Sequence, residues 1–118
     1  MKVTKTYFML MAADVGRGAS FYKEALGLRP GGYESEFWTE LSQNGTTIAL
    51  HHGGSAAERD TGLGFSVDDI DAACRAITAA GGKISRKPEA RPDEGIILAT
   101  AVDTEGNRIS ITQESPRA

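Results

Sequence analysis

The chain has 118 residues, 40% of them hydrophobic and 25% charged, which suits one packed domain and is too short for two ordinary ones. A formal net charge of −3 excludes the basic footprint of a nucleic-acid-binding protein, and no apolar run is long enough to cross a bilayer. The single cysteine, Cys74, has no internal disulfide partner, which fits a reducing cytoplasm.

Residues 4–11 alternate as a strand. This apolar stretch follows two lysines but leads into a helix start and not a cleavage site, so it is not read as a secretion leader. Asp14 is placed to cap a helix ending near Gly27. FWTEL (37–41) and TTIALHH (46–52) form strands around the turn SQNG, and GGSAAERDTG separates the two halves. The same order then recurs. LGFSV (63–67) is a strand, and Asp68 or Asp69 caps a helix whose stripe, Ile70, Ala73, Cys74 and Ile77, has burial spacing. Gly81 and Gly82 end that helix, and strands are predicted at 83–86, 96–102 and 107–113, the last two joined by DTEGN. RPGGY and HHGGS only turn the chain. The expectation is a single α+β domain, 1–118, of two βαββ(β) modules, about 4–53 and 61–114. Packed side by side they make an open, cup-shaped mixed sheet with helices outside.

Alternation sorts the strand residues by face. Phe8, Leu10, Ile48, Leu50, Leu63, Phe65, Val67, Ile109 and Ile111 are all large and apolar and should meet the helices. Tyr7, Met9, Met11, Trp38, Glu40, Ala49, His51, Gly62, Ser110, Thr112 and Glu114 fall on the other face. That second set mixes aromatic, thioether and polar groups, as ligand clefts do.

ADV followed, after a few residues, by FYKEALGL, then FSVDDIDAA and DTEGNRISI, resembles the vicinal oxygen chelate superfamily over about residues 4–114. That group includes glyoxalase I, bleomycin-type resistance proteins and extradiol dioxygenases. The resemblance implies paired βαβββ modules, a usually dimeric assembly and a cup-shaped cavity. It also implies a divalent metal held from the first and last strands of each module, at the places of Tyr7, Ala49, Gly62 and Ser110. Alanine and glycine have no donor, and neutral serine and tyrosine are poor ligands for a hard cation. The expectation is therefore no metal and no cofactor.

His51 is the cavity-face group whose ordinary pKa suits acid–base work, with His52 pointing away. A displaced metal site would need His51, Glu40 and Glu114 together. Trp38 and Tyr7 offer stacking surfaces, Met9 and Met11 an adaptable floor, and Glu40 attraction for a cation. Arg86, Lys87 and Arg91 are expected on an exposed loop, where Glu89, Asp93 and Glu94 cancel their charge and leave no anion site. The functional expectation is a cytoplasmic homodimer that binds a small aromatic or cationic molecule without metal, in the manner of drug-sequestering resistance proteins. Its ligand-binding residues would be Tyr7, Met9, Met11, Trp38, Glu40, His51, Ser110 and Thr112, with no nucleic-acid or membrane partner. The alternative is an enzyme of the same fold, a lyase, isomerase or dioxygenase, using a displaced metal or His51 and Glu40. A third reading is a face used only for packing.

Overall fold

Both helices start where one carboxylate satisfies free backbone donors. Asp14 is extended (φ −132°, ψ 103°) and accepts from the Arg17 N–H, while Gly27 (φ 69°) closes the other end in the left-handed conformation. Asp69, and not Asp68, does the same for the second helix by accepting from the Ala72 N–H. The computed structural model describes residues 1–115. Its elements are β1 (Tyr7–Ala12), α1 (Val15–Leu26), β2 (Arg29–Glu34), β3 (Trp38–Gln43), β4 (Thr46–His52), β5 (Arg59–Ser66), α2 (Ile70–Ala79), β6 (Lys83–Arg91), β7 (Ile96–Val102) and β8 (Asn107–Glu114).

The strands form two four-stranded open sheets, β1-β4-β3-β2 and β5-β8-β7-β6. In each, the first strand runs parallel to the last and the other pairs are antiparallel. The helix in each module supplies the crossover that a parallel pair requires. The large apolar faces of both sheets and the buried stripes of both helices share one core, with Leu10, Leu50, Phe21, Ile77, Ile109 and Ile111 almost fully buried. The back-face residues expected from alternation all lie in this core or pack against it.

Several boundaries differ from the expectation, among them the start of β1, at Tyr7 and not at residue 4. RPGGY is not a plain turn: Arg29–Glu34 form an exposed edge strand with an irregular register between Pro30 and Glu34. Proline is tolerated there because an edge strand has donors to spare. A Cβ on Gly31 would lie 2.6 Å from the Glu40 carbonyl oxygen, so glycine permits this close approach. β5 starts at Arg59, inside the expected separating loop, and β6 continues to Arg91. Cys74 is only partly buried, and burial, followed by the nearby Asp71 charge, raises its thiol pKa.

Candidate functional site

The face of the first sheet turned away from the helices gathers six of the eight expected ligand residues. Cross-strand register sets Trp38, His51 and Met11 in one row, Glu40, Ala49 and Met9 in the next, and Ser42, Thr47 and Tyr7 in the third. Ala49 is fully buried in the middle row. The Tyr7 and Trp38 rings, from the rows on either side, meet edge to face with centroids 5.5 Å apart. His51 meets the same indole at 5.9 Å and 75°. Such edge contacts hold the rings in fixed planes, each adding about 0.5–1.5 kcal/mol beyond its buried area. Tyr7 and Met9 remain 51% and 47% exposed, so in one chain this face is an open wall.

Glu40 braces that wall. One carboxylate oxygen accepts from the Lys5 ammonium and the other from the Trp38 indole N–H at 2.9 Å. These two hydrogen bonds, Lys5 first, hold the Glu40 carboxyl below its ordinary pKa. His52 turns away, as alternation predicts: its ring sits edge to face on Phe37 beside a cleft lined by Asp14 and Gly16.

Ser110 and Thr112 lie on the second sheet. Ser110 stands between Thr100 and Gly64, and Thr112 between Leu98 and Ser66. Glu114, on the same strand, is opposite Ile96, so it belongs to a different sheet from Glu40 and His51. Among the described residues no group of three or more His, Cys, Asp or Glu side chains is arranged to hold a metal ion. The places where the resemblance puts a divalent cation do not fit one either. Ala49 brings a buried methyl group, Gly62 brings no side chain, and Tyr7 and Ser110 bring neutral oxygens on different sheets. A separate cleft of about 240 Å³ opens between the modules, with Leu26, Asn44, Ile48, Leu63, Phe65 and Val67 among its walls.

A second polar cluster escapes the sequence reading. Glu105, fully buried in the DTEGN turn, accepts from Arg17 Nε at 2.7 Å and Nη2 at 3.1 Å. The Asp14 backbone N–H and the Thr104 hydroxyl also donate to Glu105, each at 2.8 Å. Burial pushes the Glu105 carboxyl up, but the bonds from Arg17, Asp14 and Thr104 outweigh it, and the pKa lies below its ordinary value. Asp103 accepts from the Tyr22 hydroxyl at 2.6 Å, from Asn107 Nδ2 at 2.9 Å and from the Glu105 and Asn107 backbone N–H groups. Burial, then the Asp103 charge, pushes the Tyr22 phenol well up. This cluster fastens α1 of the first module to the β7–β8 turn of the second. The sequence signal was present only as a turn with more acids than a turn needs.

The family model described as "Glyoxalase/Bleomycin resistance protein/Dioxygenase superfamily" matches residues 6–111. The chain is 29% identical to a "Probable lactoylglutathione lyase" of Synechocystis sp., over 92% of this chain and 94% of that protein. It is 30% identical to the "Lactoylglutathione lyase" of Haemophilus influenzae, over 89% and 88%. Among solved structures, a glyoxalase/bleomycin resistance protein/dioxygenase family enzyme from Burkholderia phytofirmans superposes with a TM-score of 0.77 at 18% identity, covering 92% of this chain and 96% of that one. A glyoxalase I mutant from Zea mays gives 0.73 at 22% identity, covering 89% of this chain and 44% of that one.

Proposed function

Because this chain belongs to the glyoxalase/bleomycin resistance protein/dioxygenase superfamily, we propose that it binds a planar small molecule without a metal. The ligand lies against Trp38, with Tyr7, Met9, Met11 and His51 around it and Ser110 and Thr112 supplying hydroxyls from the second sheet. The observation that carries this reading is the conversion of the family's donor places into Tyr7, Ala49, Gly62 and Ser110, beside an indole held by Glu40 and two ring contacts. A braced aromatic plane loses little freedom when a flat ligand stacks on it, which favours affinity.

The working unit in this reading is a cytoplasmic homodimer. The half-exposed Tyr7 and Met9 support a facing surface that closes the wall, and burying their remaining exposed half would stabilise by about 1 kcal/mol each. In this reading the protein works by stoichiometric capture, as drug-sequestering proteins do.

The relatives' names favour a second reading, an enzyme of this fold. His51 is its acid–base group, since both Glu40 oxygens are already engaged. Fluorescence of the lone tryptophan separates the two readings. Capture predicts saturable quenching of Trp38 by a planar compound at one equivalent per site, with the compound recovered unchanged. Turnover of the bound compound that disappears in His51→Ala establishes the enzyme. Tight binding of a divalent ion, abolished by His51→Ala, overturns the metal-free reading altogether.

A further inference from the structure

We propose that this site selects planar ligands bearing an anionic group, that Arg86 receives the anion, and that Lys5 is the residue that removes the site's affinity for cations. The inference rests on the binding function just described and specifies its ligand class.

Glu40 is the one carboxylate at the ladder positions of β1, β3 and β4 on the open wall. Its partners are fixed: Lys5, reaching over from the segment before β1, and the Trp38 indole N–H. A carboxylate whose charge is matched by an ammonium and whose second oxygen holds an indole has little left for a cationic ligand. Arg29, opposite Ser42, adds a positive group at the far side of the same sheet.

The second sheet provides the complement. SRKPEAR is not the exposed loop that the sequence suggests; it lies within β6, and the charge cancellation expected along the chain is redistributed in space. Arg91 faces Glu94 at 3.7 Å, while Lys83 pairs with Glu58 and Arg108 with both Glu58 and Asp60. Arg86 makes no ion pair among the described residues and is exposed. Its register partner is Thr100, whose partner is Ser110, whose partner is Gly64. One row across the sheet thus presents a guanidinium, two hydroxyls and a glycine. Glu89 belongs to the next row, with Leu98 and Thr112, and Glu114 to the one beyond, opposite Ile96.

Register irregularities bracket Arg86 on both sides, between Ile84 and Arg86 and between Arg86 and Glu89. Bulges of this kind redirect a side chain, and they occur on edge strands, as β6 is, as well as beside functional sites. A guanidinium with hydroxyls in the same row is suited to a carboxylate or phosphate, which it can grip with paired hydrogen bonds. The row passes through Ser110, so the place that would hold a metal ligand now belongs to a set of donors for negative charge.

Three probes with one ring system and different charge test this: 2-naphthoate, 2-naphthalenemethanol and 2-naphthylmethylammonium, each titrated against Trp38 fluorescence. The naphthoate should bind at least roughly ten-fold more tightly than the ammonium, the scale of one charge-assisted hydrogen bond. Arg86→Gln should remove the advantage of naphthoate over the alcohol and leave the alcohol unchanged. Lys5→Ala should strengthen ammonium binding by freeing Glu40. Equal or tighter binding of the ammonium by the wild-type protein, or an Arg86→Gln variant that keeps the naphthoate advantage, overturns the anion inference while leaving the binding function standing. Absence of quenching by all three probes overturns the binding function and this inference with it.

Discussion

The two modules place a turn at the same point, before their last strands, and the two turns are physically opposite. Gln43 to Thr46 connects β3 to β4 as a tight connection, with Asn44 (φ 48°) and Gly45 (φ 81°) both left-handed and both exposed. Asp103 to Asn107 connects β7 to β8 with Asp103, Glu105 and Asn107 buried, and its side chains tie down α1. The first turn has only to reverse the chain, which two residues with positive φ accomplish. The second reverses the chain and also joins the halves. A repeated topology therefore does not imply repeated energetics, and the same substitution at equivalent places should have unequal consequences.

Alanine at the glycine of each turn gives the largest expected contrast. At Gly106 (φ 89°) a Cβ would lie 2.5 Å from the Ala56 carbonyl oxygen, so Gly106→Ala combines backbone strain with a main-chain clash and should cost about 3 kcal/mol or more. At Gly45 the Cβ meets nothing within 4 Å, and only the conformational penalty, about 1 kcal/mol, should appear. Paired urea titrations check this, and equal losses would break the comparison.

Glu105→Gln should come next, at about 2–3 kcal/mol, below the ~3–5 kcal/mol of a fully buried pair because Arg17 retains about half its exposure. Its pH dependence is the sharper test. The folded-state pKa of Glu105 lies below its unfolded value of about 4.3, so its stabilisation is complete above that pH. It is lost as pH falls through the folded value, and the wild-type and Glu105→Gln unfolding curves should converge in acid. A difference that persists there would assign the effect to shape and not to charge. Tyr22→Phe removes one of the bonds to Asp103 and should cost about 1–2 kcal/mol by thermal unfolding. Smallest should be the response to Lys5→Ala. It leaves both turns untouched and should raise the Glu40 pKa toward the ordinary carboxylate range, visible as an upward shift in the pH titration of Trp38 emission.

The outward faces of the sheets differ as much as the turns. The first carries aromatic rings and thioethers, the second hydroxyls and paired charges, although strand order and register type are the same. One wall offers aromatic and thioether surface and the other offers hydroxyls, a division that a pseudo-symmetric scaffold permits.

The first helix cap, the second to within one residue, and the sorting of side chains by face were legible in the sequence, because each depends on one residue and its neighbours or on a period of two. Asp14, Asp69 and Gly27 act within their own turn of backbone. The edge strand β2 was not legible. Pro30 and two glycines are turn residues by local preference, and only β3, with its Glu40 carbonyl close to Gly31, makes that segment a strand. The role of Glu40 was hidden for the same reason: its partner Lys5 is 35 residues away in sequence. Two partners of Glu105 lie farther still, with Arg17 and Asp14 separated from it by 88 and 91 positions. Periodicity assigns a residue to a face and gives no information about what crosses from another element to meet it.

Arg59 has a consequence for how the chain assembles. Its guanidinium donates to the Ser55 and Ala57 carbonyls in the connecting segment, to Met11 at the end of β1 and to Glu105 beyond β7. Only the bond to Met11 reaches the first module, and it adds to the Arg17–Glu105, Tyr22–Asp103 and Asn107–Met11 bonds, so trading a half with a neighbouring molecule releases all of these together. Mixing folded molecules should therefore leave the pairing of halves unchanged.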